Sequence, residues 1–254
     1  MRIWVNGSEK LIDSAAGSQR NPMDGLHLGL DRGLAFGDGV FETMAIHSGR
    51  IALLALHLDR LMSGLDALSI SVSRETLSSD IAKALSSLAP KETSFVLKLI
   101  VNRGVSAGGY SYSKHAYPNR ILSLQRLSER QQISEKTLNY EVMFCETRLA
   151  SQPQLAGIKH CNRLEQVLAR REVDLAGKGE GLMLDANGNV IEATASNVYI
   201  LEGECVVTPP ISDCGVKGVV REFLLQTLCA KLGVEIKEEV ISRARLINSN
   251  GLAL

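Results

Sequence analysis

Lys159 and Glu192 are the two side chains whose type and setting could do chemistry. Lys159 stands in Gly157-Ile-Lys-His-Cys-Asn-Arg-Leu-Glu-Gln-Val-Leu-Ala-Arg, ahead of an amphipathic helix expected from about Asn162 to Ala176. Its surroundings are apolar: Leu155-Ala-Gly-Ile before it, Leu164, Val167 and Leu168 after it. Burial disfavours the charged form of an amine and frees it to form an imine. Glu192 stands in Val190-Ile-Glu-Ala-Thr-Ala-Ser-Asn-Val, on an apolar strand just past a tight turn. Strict alternation puts Ile191 and Ala193 on one face and Val190 with Glu192 on the other. A carboxylate aimed inward is costly without a partner. Taken singly, Lys159 reads as a Schiff-base lysine or a solvated one, and Glu192 as the partner of a pyridinium nitrogen or of a structural arginine. Taken together, they are the two groups that pyridoxal phosphate chemistry requires.

An anion such as phosphate calls for a helix N-terminus and often an arginine. Gly215-Val-Lys-Gly-Val-Val-Arg-Glu-Phe places glycines before a helix, which leaves the N–H groups of Val219 and Val220 to face an anion. Arg60, in His57-Leu-Asp-Arg-Leu, lies on a helix with an apolar opposite face. Gly37-Asp-Gly39 reads as a tight turn into a strand. The stretch Asn102-Arg-Gly-Val-Ser-Ala-Gly-Gly-Tyr-Ser-Tyr reads as a hairpin loop or as a loop that faces a substrate. The chain lacks the P-loop pattern and paired C-x-x-C metal spacing.

The bulk properties narrow the class. The chain has 254 residues, 45% hydrophobic and 22% charged, with 28 basic and 28 acidic side chains. That length supports one large domain or two modest ones. Balanced charge gives no global field for nucleic acid or an acidic membrane, so local groups must hold any bound anion. Five scattered cysteines read as reduced thiols of a cytoplasmic protein. Arg2-Ile-Trp-Val-Asn-Gly reads as structure and not as a leader, and no apolar run is long enough to span a bilayer.

Elements that could position these groups follow from pattern. Asn6-Gly7 between apolar runs predicts a hairpin. So do His47-Ser-Gly-Arg, the Ala186-Asn-Gly-Asn turn and Glu202-Gly. Helices are expected over Leu54–Leu68, Arg74–Leu88 and Val219–Leu232. Strands are expected from Ser94, Arg120, Leu138 and Val234. The organisation is α+β with mixed, largely antiparallel sheets flanked by helices: a small N-terminal domain over 1–127, a linker over 128–136 and a larger cofactor domain over 137–254.

Five blocks in order carry a family resemblance. They are Asp31-Arg-Gly-Leu-Ala-Phe-Gly-Asp-Gly-Val-Phe-Glu-Thr, His57-Leu-Asp-Arg-Leu, the Lys159 segment, Glu192-Ala-Thr-Ala-Ser-Asn-Val and Gly215-Val-Lys-Gly-Val-Val-Arg. The chain resembles the fold-type IV pyridoxal phosphate enzymes, which include branched-chain and D-amino acid aminotransferases and aminodeoxychorismate lyase. The resemblance implies that Lys159 binds pyridoxal 5'-phosphate covalently and acts as the catalytic base, and that Glu192 pairs with the ring nitrogen. It implies phosphate contacts from Arg60, Val219 and Val220. Ala195, Ser196 and Ser249 would lie near the cofactor, and Arg103, Phe36 and Asn248 near the substrate. Thr43 would assist proton delivery. Arg163, Phe36 and Val220 stand where the aminotransferases usually carry tyrosine, tyrosine and threonine, and all three match the lyase. The implied reaction converts 4-amino-4-deoxychorismate, a small dicarboxylate amine, to 4-aminobenzoate and pyruvate in folate biosynthesis, in a homodimer. An aminotransferase of the same fold and a non-catalytic cofactor-binding protein are the alternatives. The loop that commonly carries a second arginine in the lyase here reads Ser106-Ala-Gly-Gly-Tyr, which leaves Arg103 as the carboxylate anchor. Relatives usually continue past the point where this chain stops, at Leu254, so a truncated C-terminus is also expected.

Overall fold

A computed structural model describes residues 1–10, 30–88, 94–106, 109–112, 116–127 and 141–254. The chain divides into two compact units, Met1–Glu135 with Lys159–Asn162, and Lys136–Ile158 with Arg163–Leu254. The linker expected over 128–136 lies outside the described residues, as do Leu138 to Tyr140.

The first unit is built on a six-stranded antiparallel sheet ordered β2-β1-β6-β5-β3-β4. Its strands are β1 (Arg2–Val5), β2 (Ser8–Lys10), β3 (Gly39–His47), β4 (Arg50–Ile51), β5 (Ser94–Asn102) and β6 (Asn119–Arg126). Asn6 (φ 49°) and Gly7 (φ 80°) turn β1 into β2 with two positive φ values, the geometry a two-residue hairpin favours. Alternation decides the faces of β3: Val40, Glu42, Met44 and Ile46 are buried, and Thr43, Ala45 and His47 are exposed. Helix α2 (Leu54–Ala67) packs against β3, and α3 (Arg74–Ser86) against β6. Leu58, Leu61 and Leu65 of α2 and Leu77, Ile81 and Ala84 of α3 recur at helical spacing and are buried. Ser73 caps α3 by accepting from the Thr76 N–H.

The second unit holds two four-stranded sheets, ordered β13-β9-β8-β7 and β12-β11-β10-β14. Their strands are β7 (Val142–Arg148), β8 (Glu180–Leu184), β9 (Asn189–Ala193), β10 (Tyr199–Glu202), β11 (Cys205–Thr208), β12 (Glu235–Glu238), β13 (Ile241–Ser242) and β14 (Gly251–Ala253). Pairs β7–β8 and β11–β12 are parallel and the rest antiparallel, so the fold is α+β with mixed sheets. β7 runs further than the sequence pattern implies, to Arg148. It pairs with β8, and Glu172 accepts from the N–H groups of Glu146 and Thr147. Helix α4 (Leu164–Leu175) lays Ala169 and Val173 into a core with Cys145, Leu149, Met183, Ile191 and Ile211. Burial there pushes the Cys145 thiol up to about 11. The helix after Gly218 is α5 (Val219–Phe223), a π turn over Leu224–Leu228, then α6 (Cys229–Leu232). A short α7 (Arg243–Ile247) precedes β14.

Between α4 and β7 the backbone of Gly181 leaves no room for a side chain. A Cβ there would lie 2.4 Å from Val173 Cγ2 and 2.5 Å from Cys145 Sγ. Gly181→Ala is therefore expected to lower unfolding stability by about 1–3 kcal/mol through overpacking. Urea denaturation measures it, and an unchanged midpoint would contradict this account of the packing.

Candidate active site

The motif Asp31 to Thr43 folds into a capped turn that feeds β3. Asp31 accepts from the Leu34 N–H and starts α1 (Arg32–Phe36), and Gly37 (φ 64°) ends it. A Cβ on Gly39 would meet the Val101 carbonyl at 2.6 Å, so the start of β3 can lie close against β5. The chain around Lys159 pairs with that same start. Phe41 N–H donates to the Lys159 carbonyl and Cys161 N–H to the Gly39 carbonyl, each at 2.9 Å. Val40 and His160 face each other across this bridge. Lys159 therefore shares a face with Phe41 and Thr43, and its Nζ lies 4.7 Å from the Phe41 ring centre. Lys98, opposite Thr43 on β5, also reaches that ring, at 5.2 Å.

Arg60 reaches β3 from the other face, where Glu42 points. Its Nε donates to Glu42 Oε1 at 2.7 Å and its Nη2 to Oε2 at 2.6 Å, a two-point fork. His57 Nδ1 lies 2.7 Å from the same Oε2. Burial alone would raise the Glu42 carboxyl. The hydrogen bonds and charges of His57 and Arg60 outweigh it and hold the carboxyl below its ordinary value.

In the second unit, Glu192 is 4% exposed. Its Oε2 accepts from the Val216 N–H at 2.8 Å, and its Oε1 from Gln166 Nε2 at 3.2 Å. Simple alternation along β9 fails here. The register against β8 shifts between Met183 and Leu184, so Val190 and Ala193 enter one core and Ile191 the other. A bulge carries one extra residue and inverts the parity after it. Glu192 follows Ile191 toward Gly215, where an added Cβ would sit 2.8 Å from Ile191 Cγ2 and 3.3 Å from Glu192 Oε2. Ala195 and Ser196 sit in a tight turn closed by Ala193 N–H on the Ser196 carbonyl. A Cβ on Gly218 would meet Asn197 Oδ1 at 2.0 Å, and Asn197 Nδ2 holds the Val216 carbonyl at 2.8 Å. Val219 and Val220 open α5 directly behind that turn.

A family model for amino-transferase class IV matches residues 39–254. The chain belongs to the class IV aminotransferase family. An aminodeoxychorismate lyase of Vibrio harveyi is 31% identical to it, covering 89% of this chain and 77% of that protein. The crystal structure of a 4-amino-4-deoxychorismate lyase from Pseudomonas aeruginosa superposes with a TM-score of 0.80 at 38% identity, covering 98% of this chain and 85% of that one. A Mycobacterium tuberculosis protein described as a hypothetical aminotransferase, in a PLP-bound form, shares the fold at 19% identity and a TM-score of 0.77, covering 99% and 86%.

Within this class IV chain several of the expected site residues have internal partners. Arg103 was expected to grip a substrate carboxylate, but it is 5% exposed and committed inward. Its Nε and Nη2 fork onto Asp38, its Nη1 and Nη2 donate to the Ser69 and Leu68 carbonyls, and its guanidinium lies 3.6 Å from the Tyr112 ring centre. Arg32 shares Asp38 and donates to the carbonyls of Gly109, Tyr110 and Ser111. Burial would raise the Asp38 carboxyl, yet the two arginines keep it below its ordinary value. Phe36 makes a tilted ring contact with Tyr110 at 5.3 Å and lies under Arg32. The Ser249 hydroxyl lies within hydrogen-bond distance of the Leu246 and Gly251 carbonyls, at 2.8 and 3.1 Å, and closes the turn into β14. Asn248 ends α7 and is exposed. The sequence reading omitted Glu42, His57, Gln166 and Lys98. A signal for Glu42 existed in the parity of Val40-Phe-Glu-Thr-Met, which sends the acid inward opposite His57 and Arg60.

Because its folded value is depressed, Glu42 stabilises the fold above its ordinary value of 4.5, and that stability is lost as pH falls through the lower folded value. Glu42→Gln is expected to cost about 3 kcal/mol near neutrality by stranding Arg60, and to flatten the acid limb of the stability curve. Urea midpoints between about pH 3 and 7 test this. An equally steep acid limb in the variant would remove Glu42 from the account.

Proposed function

We propose that the protein is a pyridoxal 5'-phosphate-dependent carbon–oxygen lyase that converts 4-amino-4-deoxychorismate to 4-aminobenzoate and pyruvate, a step of folate synthesis. One observation carries the choice of lyase over aminotransferase. Arg163 stands where the aminotransferases usually carry tyrosine, and its Nη2 donates to the Ile158 carbonyl at 2.9 Å, just ahead of Lys159. Likeness to two aminodeoxychorismate lyases supports the same reading.

The residue types that each unit offers suit the cofactor. The first unit supplies a lysine placed by main-chain pairing and an arginine oriented by Glu42. The second supplies a carboxylate with a fixed direction and a helix entry so tight that Gly218 admits no Cβ. An amine, a carboxylate and an anion cradle are the donor set for an aldehyde, a pyridine nitrogen and a phosphate. In this reading Lys159 holds the aldehyde carbon, Glu192 the ring nitrogen, and Arg60 with the N–H groups of Val219 and Val220 the phosphate. Ala195, Ser196 and Ser249 border the ring.

When bound, the cofactor supplies an aldehyde that takes up the substrate amine and a ring that withdraws electrons from the adjacent carbon. Lys159 would remove the proton from the amine-bearing carbon. The electrons of that bond complete the aromatic ring as the carbon–oxygen bond to the enolpyruvyl group breaks. Thr43, exposed on the Lys159 face of β3, relays a proton to the departing group, which becomes pyruvate. Lys98, across from Thr43 on the Lys159 face, adds to the carboxylate contact expected of Arg103. Phe36 and Asn248 border the substrate.

The inward commitment of Arg103 is the observation that favours the competing reading, a D- or branched-chain amino acid aminotransferase of the same fold, because it leaves a dicarboxylate one cation fewer. The setting is a cytoplasmic homodimer. All five cysteines are free thiols, and no described helix is long and apolar enough to cross a membrane. The outer stripe of α4, Leu164, Val167, Leu168 and Leu175, is exposed and suits a second copy.

Incubation with aminodeoxychorismate is expected to yield 4-aminobenzoate and pyruvate in equal amounts. Lys159→Ala should abolish both products and the visible band of the bound cofactor, and Lys98→Met should raise KM roughly 10-fold with a smaller change in kcat. Absence of 4-aminobenzoate with transfer of an amino group from D-alanine or leucine to 2-oxoglutarate would overturn the lyase reading.

A further inference from the structure

Gln166 is half-buried on α4, on the same stripe as Ala169 one turn on and Val173 two turns on. It keeps an amide there at a cost. Its Oε1 is buried and has no hydrogen-bond partner among the described residues. A half-satisfied polar group is worse for the core than an apolar one of similar volume. The other half of the amide explains why it is tolerated, since Nε2 donates to Glu192 Oε1 at 3.2 Å. The Val216 N–H holds the second oxygen of the same carboxylate at 2.8 Å. One clamp is main chain, fixed by the Gly215–Gly218 turn. The other is a side chain and so open to substitution. The orphaned oxygen fixes the orientation of the amide as well, because a flipped Gln166 would set its oxygen against the carboxylate.

We propose that Gln166 is a positioning residue, which acts through Glu192 to fix the direction of its carboxylate and to favour its charged form toward the pyridine nitrogen of the cofactor. This rests on the cofactor reading above. Hydrogen bonds donated to a carboxylate stabilise its ionised state. Loss of one donor leaves Glu192 in place with a less defined direction and a weaker preference for charge.

The test uses the full chain stripped of and reconstituted with pyridoxal 5'-phosphate, with Gln166→Leu and Gln166→Met, each alone and in a Glu192→Gln background. Both single variants should melt no lower than the parent, since the orphaned oxygen is gone. Each should bind the cofactor about 10-fold more weakly by absorbance titration, the loss expected for one hydrogen bond to a charged group. Each should also shift the pH midpoint of the visible band. In the Glu192→Gln background the Gln166 substitutions should add nothing further. Unchanged affinity and midpoint, a full additional loss in the Glu192→Gln background, or unfolding of both single variants would each overturn the proposal. A parent protein that takes up no cofactor would instead sink the cofactor reading itself, and this proposal with it.

Discussion

Two main-chain hydrogen bonds set where the lysine stands. Phe41 N–H to the Lys159 carbonyl and Cys161 N–H to the Gly39 carbonyl splice a short segment onto β3. Backbone pairing fixes parity, and parity fixes that Lys159 rises on the side of Phe41 and Thr43. The glycines of the preceding motif follow from that splice. Gly39 lies against the Val101 carbonyl, and a Cβ on Gly37 would fall 2.2 Å from Asn162 Oδ1. Either side chain would push β3 away from β5 or from the lysine segment. The motif is thus structural in its parts, and its service to the chemistry is to bring the lysine backbone to one place.

Glu192 is placed by a different device. A regular β9 would have put it beside Val190, in the core with Leu182, Leu184 and Ile241. A buried carboxylate among aliphatic groups is costly without donors. The bulge turns it toward the Gly215–Gly218 turn, where a peptide N–H and an amide meet it. Irregularity in the strand and tightness in the turn therefore serve the same end: both give the acid partners and a direction.

Much of the scaffold was legible because it rests on local rules. Asn6-Gly7, the helical spacing of Leu58, Leu61 and Leu65, and the hairpin around Asn187-Gly188 state their geometry within a few residues. What escaped depends on contacts remote in sequence. The bulge in β9 comes from its register against β8, so alternation misassigned Ile191 and Ala193. The acceptors of Arg103 are Asp38, Leu68 and Ser69, up to 65 residues away. A guanidinium in a glycine-rich loop looks available until those partners are known. Glu42 was the converse case. It was readable as inward-facing, yet nothing local named His57 and Arg60 as the groups that make its burial tolerable.

The fate of the arginines has a chemical consequence for the exposed face of β3 and β5. Asp38 receives both Arg32 and Arg103, and Arg32 additionally binds three successive carbonyls, those of Gly109, Tyr110 and Ser111. Freeing either guanidinium for a substrate would leave a buried acid underpaired and a loop untied, so these two arginines act as fasteners of the loop. A cation does stand on the face that Lys159 shares with Thr43, Lys98 on β5. An ammonium is a compact point charge on a flexible stem, without the rigid fork of a guanidinium. A carboxylate held by Lys98 is drawn by charge with little constraint on its angle. Under the proposed lyase reading, orientation of the ring would then come from the amine at its other end.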